Sequence, residues 1–159
     1  MELVDGHSLP DEEAACQAFA RALVSLPRAL DAELVRSTNL SLNEYNVLSV
    51  LAASPARTCR VTDLAAAGSL SLSGVSRLVD RLFRQGLVGR ENSVEDRRGV
   101  LVSLTDDGVE VVRAGHAAQT SCLRRTVLAN LEGISLNRLR GAFEAMADVD
   151  AGGLEHPKI

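Results

Sequence analysis

SLSLSGVSRLVDRLFRQGLVGRENSVEDRRGVLVSLTDDG, residues 69–108, decides the fold. Its first half places Leu72, Val75, Leu78, Val79, Leu82 and Phe83 at the three-and-four spacing of one helix face. Ser73, Ser76, Arg77, Asp80, Arg81 and Arg84 occupy the complementary positions and form the other face. Gly86 closes this helix, and the period then changes. LVGREN and VLVSL are short β-prone runs on either side of the charged SVEDRRG, so the segment reads as a β-hairpin with a basic tip. TDDG opens the next helix, with Thr105 as N-cap and Asp106 and Asp107 complementing the positive helix end.

Upstream, TDLAAAG (62–68) is a short helix that ends on Gly68, the position of a left-handed cap. Two short helices joined by a tight turn make a helix-turn-helix. Residues 57–61 are a connector with room for a brief strand. Before it, Tyr45, Val47, Leu48, Val50 and Leu51 mark a helix capped by Ser41 and stopped by Pro55. A first helix over 11–36 carries Phe19, Leu23, Leu26, Leu30 and Leu34 as one apolar stripe; Pro27 predicts a kink or two abutting segments.

Downstream, a long helix runs over 106–131, with Val109, Val112, His116, Leu123, Val127 and Leu131 towards the core. Gly133 breaks it and Ser135 caps a last helix. The expected fold is therefore mainly α: a winged helix-turn-helix with a small β-hairpin wing, plus N- and C-terminal helices. Residues 41–104 form the winged unit, 11–40 and 105–149 the helical remainder, and 1–10 and 150–159 are flexible ends.

At 159 residues the chain can bury a core without disulfide or metal staples. Aromatic residues are only 3%, so that core is built from Leu, Val and Ala. The N-terminus lacks a basic stretch followed by an apolar run, and no segment reaches transmembrane length. Cys16, Cys59 and Cys122 are odd in number and scattered, which points to reduced thiols in the cytoplasm. His7, His116 and His156 share no metal-ligand spacing, so no metal and no cofactor is expected. The sequence contains no H-E-x-x-H, no G-x-S-x-G and no phosphate loop, so catalysis is not expected.

The formal net charge of −4 conceals a basic middle. Residues 57–98 hold eight arginines against five acids, between acidic flanks. A helix face lined by serine and arginine can enter the DNA major groove. Alone, it fits equally a solvated helix with pairs such as Asp80–Arg84. The neighbouring hairpin decides between them. Arg97 and Arg98 repel each other on a projecting tip unless an anion is near, and a narrow minor groove is such an anion. Asp96 can hold Arg98 by a charge-assisted hydrogen bond and fix its direction.

The stretch 69–108 resembles the MarR family of bacterial regulators. The matching features are VSRLVDRL followed by QGLV, EDRR at the wing tip and LTDDG at the next helix. Helix order and length extend the resemblance over residues 11–149. It implies a homodimer, built by the first helix and the last two, that binds a palindromic operator in double-stranded DNA. Ser73, Ser76, Arg77 and Arg81 would face the major groove, Arg98 would enter the minor groove beside Asp96, and Arg97 and Arg90 would touch phosphate. It implies a repressor released by a small-molecule effector or another signal. Peroxide-sensing relatives carry a reactive cysteine early in the first helix, paired with tyrosines. Here the only tyrosine is Tyr45, so Cys16 reads as a buried structural cysteine. Two alternatives stand beside the operator reading: a thiol-based redox repressor acting through Cys16, and a winged-helix protein-interaction module.

Overall fold

The computed structural model describes residues 10–92, 100–131 and 133–147. Helix α1 spans Pro10–Thr38 without interruption at Pro27. Asp11, Glu12 and Glu13 in its first turn and Arg36 in its last complement the helix dipole. Asn39 then leaves the helix with φ of 58°, a conformation asparagine tolerates better than most residues.

Helix α2 spans Leu42–Ala53 and begins with a full capping box. Ser41 Oγ accepts from the Glu44 N–H at 3.3 Å, and Glu44 Oε2 accepts from the Ser41 N–H at 2.8 Å. The Leu42 N–H also donates to Asp31 on α1, which fixes the angle at which α2 departs. A 3-10 turn at Pro55–Arg57 leads into strand β1, Thr58–Arg60.

Helices α3 (Val61–Ala67) and α4 (Leu72–Arg84) form the helix-turn-helix. The turn differs from expectation in one detail. Gly68 is right-handed, with φ of −91°, and Ser69 takes the left-handed position at φ of 49°. Space at Gly68 is tight: a Cβ there would lie 3.3 Å from both the Leu64 carbonyl oxygen and Leu70 Cδ1.

Strands β2 (Val88–Asn92) and β3 (Val100–Leu104) form the expected hairpin. They are part of a three-stranded antiparallel sheet in the order β1-β3-β2, with Cys59 and Arg90 both opposite Val102. Thr105 caps α5 (Asp106–Thr126) by accepting from the Gly108 N–H, and its hydroxyl donates back to the Gly86 carbonyl. Helix α5 ends earlier than its apolar pattern suggests, at Thr126, where a 3-10 turn (Leu128–Asn130) follows. Helix α6 spans Leu136–Ala147.

The core lies between α2, α3, α4 and the sheet, where Leu48, Leu51, Val75, Val79, Leu82 and Val102 are wholly buried. Several assignments of burial need correction. Leu72 and Phe83, at the two ends of α4, are half exposed, because the end turns overhang the core. His116 is exposed, and α5 buries Gly108, Gly115 and Cys122 instead. Gly115 makes this close approach possible: a Cβ would stand 2.6 Å from the Tyr45 ring. Cys16 is exposed rather than buried, on a turn of α1 where every neighbour is also exposed.

Candidate nucleic-acid interface

Helix α4 is held to the core by Val75, Val79 and Leu82, and this fixes which side faces out. Its N-cap Ser71 accepts from the Gly74 N–H at 3.1 Å and lies 3.2 Å from the Ser73 hydroxyl. Two serine hydroxyls therefore stand at the positive helix end, both exposed. Ser76 is half-buried and donates to the Leu72 carbonyl at 2.8 Å; its lone pairs are the part left to meet a ligand.

The arginines of α4 are held in two ways. Arg77 and Arg84 fold back so that each Nε donates to its own helix, to the Ser73 and Asp80 carbonyls at 3.3 Å. Both side chains remain exposed. Arg81 instead reaches sideways, with Nε 2.9 Å from Oε1 of Glu44 on α2. Glu44 was not marked by the sequence reading. Its signal is the spacing S-x-x-E from Ser41, which predicts a cap but not a partner on another helix.

Asp80 does not pair with Arg84 as its i,i+4 spacing suggests. It pairs with Arg90 on β2, so the recognition helix is tied to the wing strand. Arg90 is thereby partly covered, with 29% of its side chain exposed. The arrangement brings Ser73, Ser76, Arg77 and Arg81 onto one helix with Arg90 beside it. Asp96, Arg97 and Arg98 lie outside the described residues. Asn92 and Val100 pair as the last described rungs of the hairpin.

No helix of the described residues is long and apolar enough to cross a membrane. The described residues contain no group of three or more His, Cys, Asp or Glu side chains placed to hold a metal.

The sequence model of the MarR family matches residues 38–99. The HTH-type transcriptional regulator YfiV of Bacillus subtilis is 31% identical over 109 residues, which cover 69% of this chain and 64% of YfiV, under two thirds of its length. Sco3205 of Streptomyces coelicolor, a MarR family regulator whose crystal structure is a complex with DNA, is 30% identical. It superposes with a TM-score of 0.78, covering 87% of this chain and 88% of its own. CouR of Rhodococcus jostii, solved with p-coumaroyl-CoA bound, is 29% identical with a TM-score of 0.66, over 84% of this chain and 91% of its own. A shared winged-helix architecture over nearly the whole length of Sco3205, with the family's sequence pattern across the helix-turn-helix, places this chain in the MarR family of winged helix-turn-helix transcription regulators.

Proposed function

We propose that the chain is a cytoplasmic homodimer that binds a palindromic operator and represses transcription until a small-molecule effector releases it. The observation that carries the reading is the outer face of α4, where exposed Ser73 and Arg77 and half-exposed Arg81 stand together on a helix anchored from behind. Such a helix fits a major groove, with Arg suited to guanine and Ser to phosphate or base. The complex of Sco3205 with DNA supports the same use of the fold. In this reading residues 41–104 bind DNA. Arg98, steadied by Asp96, enters the minor groove, and Arg97 and Arg90 meet phosphate.

Residues 11–40 and 105–149 are the dimerisation part. Phe19, Leu23 and Val24 on α1 and Leu136, Phe143 and Met146 on α6 are half exposed, an apolar display that a second copy would cover. A groove of about 810 Å³ lies among α1, α5 and α6, lined by Leu26, Leu123, Val127, Leu139 and Phe143 together with Arg124 and the Arg140–Glu144 ion pair. The ligand held by CouR makes an apolar, acidic effector a sensible first class to test.

The test is binding to the intergenic DNA beside the protein's own gene at several salt concentrations. Wild type, Arg77→Ala and Arg98→Ala are compared. The reading expects tight, salt-sensitive binding localised to a palindrome and weakened at least tenfold in each variant, the order of one good base contact. Equal binding to random DNA would favour the interaction module. The exposure of Cys16 favours one second reading, release by oxidation. Cysteine alkylation that leaves oxidant-induced release intact removes it.

A further inference from the structure

Glu44 is the one charged residue in the buried set of the described chain, with no exposed surface at all. A buried carboxylate needs partners for both oxygens. Oε2 finds them locally, accepting from the Ser41 N–H and the Ser41 hydroxyl, each at 2.8 Å. Oε1 faces a different helix and meets Arg81 Nε at 2.9 Å. The contact is an ion pair whose N–H is not aligned for a hydrogen bond, so its attraction is that of charge for charge.

The capping box does not explain the charge. Glutamine closes such a box as well as glutamate, since only one side-chain oxygen is needed to accept from the N-cap N–H. The negative charge on Oε1 is matched instead to Arg81. That side chain is 53% exposed, and among the described residues its two Nη groups have no hydrogen bond. Arg77 and Arg84 are steadied only by their own helix, whereas Arg81 is held from α2, an element of the core.

We propose that Glu44 is a positioning residue for DNA recognition: its charge draws the Arg81 guanidinium towards α2 at Nε and so biases where the two Nη groups meet DNA. The inference rests on the operator reading above. An arginine already held loses less freedom on binding, and a guanidinium presents its remaining N–H groups in a fixed plane. Glu44 thus acts for Arg81 from within the core, without touching DNA.

The experiment is a double-mutant cycle on the full-length protein, with Glu44→Gln and Arg81→Ala. The probes are the intergenic duplex beside the gene and a scrambled duplex of equal length. Circular dichroism sets a temperature at which every variant is folded. Glu44→Gln should weaken binding to the intergenic duplex about tenfold, ~1.4 kcal/mol. It should leave the scrambled duplex nearly unchanged, because non-specific binding needs charge but not aim. In the Arg81→Ala background Glu44→Gln should have no further effect. A purely structural role for Glu44 would move both duplexes together or neither.

Unchanged binding by Glu44→Gln, or a loss that persists in full without Arg81, overturns the inference while the operator reading stands. A wild type that shows no preference between the duplexes overturns both. If Arg81→Ala does not fold, Arg81→Lys takes its place: a single ammonium can answer Glu44 but has no planar second face to present.

Discussion

Glu33 shows how one side chain joins elements of the fold. It lies on α1 and accepts from Arg36 at 2.5 Å and from Arg125 on α5 at 2.8 Å. The hydrogen bond from Arg36 lowers its pKa below the usual carboxylate range, helped by the charges of Arg36 and Arg125 and opposed by desolvation. A carboxylate held low contributes stability above its unfolded pKa, and that contribution disappears as pH falls through the folded value. Wild type should therefore melt above Glu33→Gln at neutral pH. The gap should begin to narrow near the ordinary glutamate pKa of about 4.3 and close below the folded value. Melting curves of both proteins across that range check the sign. Arg81→Ala should destabilise the fold, because it leaves a buried carboxylate without its cation. Breaking a fully buried pair costs about 3–5 kcal/mol. With half of Arg81 exposed, the solvent-screened loss should be nearer about 1–2 kcal/mol, a fall in Tm of roughly 3–6 °C. Glu44→Gln should cost less. Ser41 was readable as a cap because the geometry that makes it one is local. The Glu44–Arg81 and Asp80–Arg90 pairs were not, because they depend on how α4 settles against α2 and β2. The local alternative, Asp80 with Arg84, has the right spacing and loses to the strand next door.

At the level of elements, periodicity carried α4, the hairpin and both flanking helices. It failed where an apolar residue sits at a helix end. Leu72 and Phe83 continue the stripe of α4 but overhang the core, and the apolar run after Thr126 belongs to a 3-10 turn. The pairing of β1 with β3 joins segments far apart in sequence, so no local pattern announces it. Glycines were equally ambiguous. Gly115 is one more small residue in a helical run, yet it is where α5 passes the Tyr45 ring of α2. This contact links the winged unit to the helix that continues towards α6. Gly115→Ala gains helix propensity worth about 1 kcal/mol but forces a Cβ to 2.6 Å from two ring carbons. Overpacking of that kind costs about 1–3 kcal/mol, so the substitution should be neutral to destabilising by roughly 2 kcal/mol, with a Tm lower by several degrees. On a Tyr45→Val background the two ring contacts are absent, leaving only the flexible Leu34 methyl at 3.3 Å, and Gly115→Ala should raise Tm relative to Tyr45→Val alone. Two additive losses would mean that the ring is not what excludes the side chain.

The whole molecule raises a question of symmetry. A single α4 can fill one major-groove segment, and one such contact gives modest affinity. Two copies related by a two-fold axis reach half-sites about 34–36 Å apart, and the second contact is then intramolecular. The apolar side chains that would hold the copies together are on α1 and α6, away from the residues of α4. Dimerisation and DNA contact can therefore be separated by substitution. Phe143 lines the groove among α1, α5 and α6 and is 46% exposed in the single chain. Phe143→Glu would place a charge where a partner's apolar surface must dry it, a cost of several kcal/mol. Because the side chain is half exposed in the monomer, the monomer's own fold should be disturbed little. Sedimentation should find wild type as a dimer and Phe143→Glu as a folded monomer with unchanged helix content. Binding to a duplex with both half-sites should weaken at least a hundredfold, the lower end of what linking two sites provides. Binding to a single half-site should barely change, because each α4 still stands on its own core. A variant that stays dimeric would move the interface off this groove. A monomer that binds the full palindrome as tightly as wild type would show that two-fold symmetry contributes nothing to recognition.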